Sequence, residues 1–348
     1  MSRAYLDYNA TTPLRPEAKA AMLSAMDVTG NPSSVHSEGR AVKGLMEDAR
    51  RRIATALGAD GADVVFTSGA TEAAALALKG KGYTSTKAEH PCVWTWCEHL
   101  DAVGPDGQIS DAVQVRQAVN SETGIVQTPR EGLVFTDMVQ AAGKLPVAFN
   151  WMGTEMACIS AHKFGGPKGI GALILRQGTE VAAQLRGGGQ EMGRRAGTEN
   201  ILGAVGMAAA LDAAVRDLET GEPARLETLR DHLESRLKEI APEIICVGKD
   251  QKRLPGTSMM ITPGWVGETQ VMQMDLAGYA ISAGTACSSG KTQVSGTLNA
   301  MGFDEMQARS AIRVSIGWET TEDEIEGFIT AWRQAYERFK SRRKKEVA

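Results

Sequence analysis

The spacing of apolar residues predicts helices that alternate with strands over the first part of the chain. Apolar side chains recur at helical spacing shortly before Gly58, at Leu45, Met46, Ala49, Ile53 and Leu57. Because glycine is frequent just beyond the end of a helix, this spacing predicts a helix that ends near Gly58. Short apolar runs predict strands at 64–67 and in the segments that begin at Gly132, Glu155 and Gly169. The alternation favours a mostly parallel sheet in a large domain.

The pattern changes in the last third of the chain. A charged helical stretch extends from Leu226 to Ile240, and short strands are predicted near Cys246, at 258–261 and at 279–282. A last helix is predicted from Glu322 to about Lys340. This order is typical of a smaller α+β domain.

The length of the chain, 348 residues, exceeds what a single hydrophobic core usually supports. We therefore predict an α/β protein of two domains, with residues 13–215 in the large domain and residues 1–12 and 216–348 in the small one. Hydrophobic residues make up 43% of the chain, which is enough to bury large cores. No apolar run approaches the roughly 18 residues that a membrane-spanning helix needs, so we expect no association with a membrane.

Charge and cysteine content narrow the class of protein further. The net charge of -4 gives no reason to expect nucleic acid binding. The five cysteines have no regular spacing and no Cys-x-x-Cys pair, which argues against a disulfide framework or a zinc site and fits a reducing compartment. No targeting segment is visible ahead of Tyr5, so we expect a cytoplasmic protein. The basic run 342–345 is interpreted as the solvated end of the last helix, with docking of an acidic partner as the alternative.

One lysine, Lys163, lies between an apolar run and a glycine-rich turn that ends at Gly169. A lysine beside the hydroxyl of Ser160 and the imidazole of His162 can hold both the phosphate and the aldehyde of pyridoxal phosphate (PLP). The alternative interpretation of so short a motif is a solvated lysine in a turn.

A second apolar run, 132–137, ends in the carboxylate of Asp137. In open α/β sheets ligands bind beyond the carboxyl ends of the strands, so Asp137 and Lys163 are expected to lie in one site at the ends of neighbouring strands. An aspartate beside the pyridine nitrogen keeps that nitrogen protonated, which allows the ring to accept electrons. The alternative role for Asp137 is to cap a helix.

A third run, 64–67, enters a turn of small residues that opens an alanine-rich helix. Free backbone N–H groups at such a helix start bind phosphate, and Thr71 adds a hydroxyl. Ser160 and His162 would complete the phosphate site from the adjoining turn. The alternative is that glycine and threonine are present here for conformational reasons alone.

Eight segments together carry a resemblance to a known family, and they follow one another along nearly the whole chain: 5–13, 30–34, 69–72, 137–140, 160–163, 187–191, 195–200 and 282–290. By these motifs the chain resembles the PLP-dependent cysteine desulfurases of the class V aminotransferase superfamily. The resemblance implies fold type I of the PLP-dependent transferases, PLP as the cofactor, and a homodimer.

The resemblance also implies roles for individual residues. Lys163 corresponds to the lysine that binds PLP covalently, Asp137 to the partner of the pyridine nitrogen, and His90 to the histidine that stacks on the ring. Gln140 and Ser121 correspond to positions that contact the phenolic oxygen. The remaining matched positions are the phosphate ligands Ala70, Thr71, Ser160 and His162, the residue Thr198 that reaches the phosphate in the partner subunit, and the substrate-binding residues Arg313 and Asn9.

Cys287 corresponds to the nucleophile of the family. The implied reaction converts L-cysteine to L-alanine, with Lys163 removing the Cα proton, His90 shuttling a proton and Cys287 taking the sulfur as a persulfide. The sulfur would pass to an acceptor protein, for which an iron–sulfur scaffold is one candidate. Two alternatives remain open: another fold type I PLP enzyme, such as an aminotransferase or a selenocysteine lyase, and a catalytically idle PLP-binding scaffold.

The other cysteines are expected to pack in the core. This applies to Cys158 and Cys246, which follow apolar runs, because a single cysteine usually behaves as a small buried hydrophobe. We also expect core packing for Cys92 and Cys97, although Cys92 is two residues from His90, so a position near the cofactor is the alternative.

The chain departs from the family pattern at several points. Ser121 replaces an asparagine, and Met192 and Trp318 stand where relatives often have arginine. The segments 91–120 and 123–136 are shorter than expected. Between Glu122 and the next strand there are too few residues for a crossover helix with its loops, so we predict that a peripheral helix is missing there.

Overall fold

The structure is a computed structural model that describes residues 3–284 and 294–347, without the side chains of residues 344–347. Its helices within these residues are α1 Pro16–Met26, α2 Ser37–Ala56, α3 Ala70–Leu78, α4 Pro91–Trp94, α5 Ile201–Glu219, α6 Glu222–Ile240, α7 Gly267–Leu276, α8 Gly296–Ala300, α9 Glu305–Arg309 and α10 Glu322–Val347. Short 3-10 turns lie at Phe149–Trp151, Ala161–Lys163 and Gln190–Gly193. None of the described helices is long and apolar enough to cross a membrane.

The strands within the described residues are short, and several consist of only two residues. They are β1 Ala4–Tyr5, β2 Asp63–Thr67, β3 Thr84–Ser85, β4 Glu98–His99, β5 Val115–Gln117, β6 Leu133–Asp137, β7 Thr154–Ser160, β8 Gly171–Leu175, β9 Ile245–Cys246, β10 Thr257–Ile261, β11 Tyr279–Ala280, β12 Ser282–Ala283 and β13 Ala311–Ser315.

The largest sheet has the strand order β2-β8-β7-β6-β5. Strands β5, β6 and β7 pair in parallel, whereas β8 is antiparallel to both β7 and β2. Four of its five strands therefore point the same way, in agreement with the predicted mostly parallel sheet. The predicted strands of this domain are all present.

Both faces of this sheet are covered, because apolar side chains on its strands alternate between two clusters. Val64 and Phe66 of β2 pack with helices α2 and α5 on one face, whereas Val65 packs with α3 on the other. The same alternation holds along β7, where Ala157 and Ile159 lie on the α2 and α5 face. The sequence thus forms a helix–sheet–helix arrangement.

The connection between β5 and β6 contains no helix, as the short segment predicts. Residues 118–132 instead form an irregular excursion in which Val119 bridges Val126. Ile125 makes a further bridge to Arg253, which lies in the last third of the chain. This connection therefore ties the large sheet to the C-terminal part of the protein.

The C-terminal part contains an antiparallel sheet of order β12-β13-β10-β9. Helices α6, α7 and α10 pack against it around Trp265 and Trp332. Strand β1 pairs with β11 in parallel, and Ala4 and Leu6 belong to the same cluster. The N-terminal residues thus pack with the C-terminal core. The domain boundary at residue 215 stays a prediction, and helix α5 crosses it.

Three predicted element bounds were wrong in detail. Helix α6 begins four residues before Leu226, and α10 continues past Lys340 to Val347. The strand predicted at 279–282 is two strands, because β11 pairs with β1 whereas β12 pairs with β13. The hydrophobic pattern does not specify such a change of partner.

Replacing Trp332 by alanine is expected to lower the free energy of unfolding by about 3–5 kcal/mol, because its indole is fully buried among Trp265 and Tyr336. Trp151, which is 89% exposed, provides the matched control, and its replacement by alanine should cost about 0.5 kcal/mol or less. Urea unfolding followed by circular dichroism measures both. Equal losses in the two variants would contradict the assigned core.

Candidate active site

A cavity of about 630 Å³ opens at the carboxyl ends of β5, β6 and β7. Parallel pairing places Gln117 beside Asp137 and Asp137 beside Cys158, so the ends of the three strands meet at one edge. The cavity is lined by Asn9, Ala10, Thr11, Ser68, Gly69, Ala70, Thr71, His90, Cys92, Gln117, Val119, Ser121, Asp137, Val139, Gln140, Ser160, His162, Lys163, Lys168, Gly169 and Arg313. This is the position at which open α/β sheets bind ligands.

Lys163 lies on the 3-10 turn that follows β7. Its Nζ donates hydrogen bonds to the backbone carbonyls of Asn9, at 2.6 Å, and Ala10, at 2.9 Å. The turn that follows requires a glycine, because Gly165 has a φ of 94° and a Cβ there would collide with the Arg15 side chain. The local sequence thus brings the amine to the end of the strand and holds it against the N-terminal segment.

Asp137 is buried at the end of β6. Its Oδ1 accepts a hydrogen bond of 2.8 Å from the backbone N–H of Val139. Burial raises the pKa of the Asp137 carboxyl, while that hydrogen bond and the neighbouring His90 and Lys163 oppose the rise. A buried carboxyl of this kind is stabilised as an anion by a cationic group placed beside it, such as a protonated ring nitrogen.

His90 caps the start of helix α4. Its Nδ1 accepts a hydrogen bond from the backbone N–H of Cys92 at 3.2 Å and lies 2.9 Å from the Cys92 sulfur. Because Nδ1 accepts, the ring proton of the neutral imidazole is on Nε2. Burial lowers the pKa of His90, so the neutral form is favoured.

The expectation for the cysteines near His90 is only partly correct. Cys92 packs beside helix α3 but also lines the cavity, whereas Cys97 packs in the same cluster and is not among the cavity residues. Burial raises the pKa of Cys92 to about 12 and that of Cys97 to about 11. Cys158 is fully buried, as expected for a core position, whereas Cys246 is only half-buried and packs against the C-terminal core. Each of these four thiols is held in its protonated form.

One end of the cavity suits a phosphate group. The cavity residues Ser68 and Gly69 lead into helix α3, which begins with Ala70 and Thr71, and the backbone N–H groups and dipole of this helix start favour an anion. Ser160, His162 and Lys168 line the cavity as well. Burial, together with the charges of the nearby Lys163, Lys168 and Lys144, lowers the pKa of His162 to about 4, so its imidazole is neutral near pH 7. Sequence reasoning missed Lys168, although it belongs to the same glycine-rich turn.

Arg313 enters the cavity from β13 of the C-terminal sheet. Its guanidinium donates to the backbone carbonyl of Ser121 at 3.0 Å, to Asp7 Oδ1 at 2.8 Å and to Ser282 Oγ at 3.2 Å. The buried Nε of Arg313 has no hydrogen-bond partner among the residues that the structure describes. Arg313 thus brings a fixed positive charge to the cavity wall, which suits a ligand with a carboxylate group.

Asn9 joins several of the candidate residues. Its backbone carbonyl accepts from Gln140 Nε2 at 2.9 Å as well as from Lys163. Its side-chain Nδ2 donates to Thr257 Oγ1 at 3.0 Å and to the Ser121 carbonyl at 3.3 Å. A second lysine, Lys144, contacts Asn9 and Gln140 and was not found from the sequence.

One predicted site residue, Thr198, does not line this cavity, and another, Cys287, is not among the residues that the structure describes. Thr198 is exposed on the segment after β8. The segment that carries Thr198 is held beside helices α2 and α3, because Glu191 pairs with Arg50 of α2 and Arg195 pairs with Glu72 of α3.

Trp318 and Met192, which stand where arginine is frequent in the family, have different surroundings. The ring of Trp318 stacks on the guanidinium of Arg15, whose Cζ lies 4.0 Å from the ring centroid, and Arg15 also pairs with Asp217. Met192 is 61% exposed and has a φ of 56°. Trp318 thus contributes to packing beside the site, whereas Met192 lies on the surface.

The low pKa of His162 predicts a pH dependence of stability. The unfolded chain takes up a proton at His162 below about pH 6.5, whereas the folded protein does so only near pH 4. The free energy of unfolding should therefore decrease as the pH is lowered from about 6.5 to about 4. His162→Gln should make this decrease smaller by about 1–3 kcal/mol than in the wild type. Identical profiles for His162→Gln and wild type would contradict the buried, neutral imidazole.

Comparisons with known proteins show which family the chain resembles. The family model described as aminotransferase class-V matches residues 4–128 and 109–328. The chain is 38% identical over 370 aligned positions to a cysteine desulfurase of Cereibacter sphaeroides, which covers 94% of this chain and 94% of that protein. It is 35% identical to the cysteine desulfurase IscS of Dictyoglomus turgidum, covering 92% of this chain and 91% of the relative.

Solved structures show the same relationship. A NifS-like protein from Rickettsia africae superposes with a TM-score of 0.86 at 29% identity, covering 96% of this chain and 99% of that one. A structure described as SspA in complex with cysteine superposes with a TM-score of 0.76 at 28% identity, covering 90% of this chain and 99% of that one. These matches confirm the fold and the resemblance inferred from the motifs. The chain belongs to the cysteine desulfurases, within the aminotransferase class-V family.

Proposed function

We propose that the protein uses PLP to convert L-cysteine to L-alanine and transfers the substrate sulfur to Cys287. The observation that supports this most strongly is the meeting of Lys163, Asp137, His90 and Arg313 in one cavity at the ends of parallel strands. An amine, a buried carboxyl, a stacking imidazole and a carboxylate-binding guanidinium are the groups that PLP chemistry on an amino acid requires.

The residues present fit PLP, and cysteine desulfurases of this family use it. Lys163 would bind the aldehyde carbon, Asp137 the pyridine nitrogen and His90 the face of the ring. Gln140 and Ser121 would lie by the phenolic oxygen. The phosphate would be held by Ala70, Thr71, Ser160 and His162. When bound, PLP withdraws electrons from the Cα of the substrate.

The side chains of the protein then have separate tasks. Arg313 binds the substrate carboxylate through its guanidinium, and Asn9 lies beside it on the cavity wall. The Nζ of Lys163 takes the Cα proton, and the Nε2–H of His90 moves a proton to the three-carbon product. The substrate carbon–sulfur bond breaks as a sulfur–sulfur bond forms on Cys287, so that L-cysteine and the thiol give L-alanine and a persulfide with no external oxidant or reductant.

The assignment of the sulfur-accepting thiol to Cys287 is supported by the state of the other cysteines. Burial raises the pKa of Cys92, Cys97, Cys158 and Cys246, and only thiolates are good nucleophiles. Cys287, which lies outside the described residues, is flanked by small and hydroxylated residues in the sequence. Such a segment suits a reactive and accessible thiol.

The proposal extends to partners. The exposed Thr198 would reach the phosphate bound by a second copy in a homodimer. The persulfide of Cys287 would pass its sulfur to an acceptor protein, for which an iron–sulfur scaffold remains one candidate. We also propose that residues 13–215 form the PLP-binding domain.

The test is an assay of alanine and sulfide formed from L-cysteine by the PLP-loaded protein in the presence of dithiothreitol. We expect equal amounts of the two products from the wild type, and a loss of both by about 100-fold or more in Cys287→Ala, because the variant has no thiol to accept the sulfur. Cys246→Ala is the matched control and should keep the wild-type rate, since Cys246 is not among the cavity residues.

Two outcomes would contradict the proposal. Release of alanine from cysteine by Cys287→Ala at the wild-type rate would show that another group accepts the sulfur. A keto acid product would identify an aminotransferase instead.

A further inference from the structure

A second lysine lies beside Lys163 and has no task in the proposed reaction. The Nζ of Lys144 donates hydrogen bonds to Gln140 Oε1 at 2.8 Å and to Asn9 Oδ1 at 3.0 Å. Lys144 follows Gln140 by four residues in the turn after β6, so its amine reaches back over the same turn. Both of its acceptors belong to residues that line the cavity.

Two hydrogen bonds, one from Lys144 and one to Asn9, fix the orientation of the Gln140 side-chain amide. Lys144 occupies Oε1, and one N–H of Nε2 is donated to the backbone carbonyl of Asn9 at 2.9 Å. The second N–H of Nε2 is therefore the group that Gln140 can offer to a ligand. An N–H donor is what the phenolic oxygen of PLP requires.

Asn9 connects the two lysines. Its side-chain Oδ1 accepts from Lys144, while its backbone carbonyl accepts from Lys163 at 2.6 Å. The carboxamide is also held by Thr257, which contacts both its Nδ2 and its Oδ1. Asn9 therefore links the two amines, so replacing Lys144 is expected to affect the position of the backbone carbonyl that accepts from Lys163.

Burial and the charges around Lys144 change the pKa of its amine. Burial and the cations of Lys163 and Arg313 lower the pKa of Lys144, and Asp7 opposes this shift. Behind it lies a crevice of about 60 Å³ that Lys144 and Lys163 both line. The crevice is also lined by Arg15, which is paired with Asp217, and by Glu222.

We propose that Lys144 is a positioning residue for the cofactor: its amine orients Gln140 and Asn9 so that Gln140 offers an N–H to PLP and Asn9 holds Lys163. This inference rests on the proposed function, because it assigns a role toward PLP. The competing explanation is that Lys144 only stabilises the turn between β6 and β7. That explanation predicts an effect on folding and none on the bound cofactor.

The test uses Lys144→Met, which keeps a long side chain but has no donor. PLP is added back to the cofactor-free protein, and the dissociation constant and the pH dependence of the absorbance of bound PLP are measured. We expect the dissociation constant to rise about tenfold or more and the pH midpoint of the absorbance change to move, because Gln140 Oε1 and Asn9 Oδ1 lose their donor. Lys43→Met, at an exposed position on helix α2, is the matched control and should match the wild type.

A second comparison shows whether Lys144 acts through Gln140. In a Gln140→Ala background, Lys144→Met should weaken PLP binding by clearly less than it does in the wild-type background, because the residue that it orients is gone. Lys144→Gln, which keeps a shorter donor, should bind PLP with an affinity between those of Lys144→Met and the wild type. This variant also serves if Lys144→Met does not fold.

The outcomes separate the two proposals. Wild-type PLP affinity and an unchanged pH profile in Lys144→Met, even with a lower melting temperature, would overturn the positioning role while leaving the proposed function intact. Fully additive losses in the double variant would overturn it as well. Absence of PLP binding by the wild-type protein would instead overturn the proposed function, and the role of Lys144 with it.

Discussion

The parallel pairing of β6 with β7 is the constraint on which the site depends. Its register sets Asp137 beside Cys158, so the last residue of one strand lies next to the end of the other, and the turn that carries Lys163 follows at once. A slip by one residue would turn the Asp137 side chain to the opposite face of the sheet. Both faces of β7 pack against buried apolar clusters, so the packing that stabilises the sheet also positions the chemistry.

The site also depends on several positive charges that lie close together in a protein whose net charge is negative. Lys144, Lys163, Lys168 and Arg313 all lie in or beside the cavity, although the net charge of the chain is -4. The carboxylate of Asp7, which pairs with Arg313, offsets part of the repulsion between these cations. A cavity of this kind favours ligands that bring phosphate and carboxylate groups, because each anion relieves the repulsion between the buried cations.

Short sequence motifs predicted the parts of the site that are formed by residues close together in the sequence. Asp137 is the last residue of a strand, and Lys163 and the start of helix α3 follow closely after strands, so the strand pattern indicated where they would lie. Contacts between distant segments could not be found in this way. Lys144 and Asn9 are separated by 135 positions, and Arg313 and Asp7 by 306, so only the folded chain reveals either pair. The direction of β8 was likewise not predictable, since alternation of apolar residues is the same for parallel and antiparallel neighbours.

The binding of PLP by the lysine at the end of β7 underlies every other role proposed for the site. Its most direct test is to add PLP to the cofactor-free protein, make the bond to the protein permanent with borohydride, and identify the modified peptide by mass spectrometry. The structure predicts modification at Lys163 alone. Modification at Lys144 or Lys168 in its place, or none at any of the three, would show that Lys163 is not the residue that binds PLP.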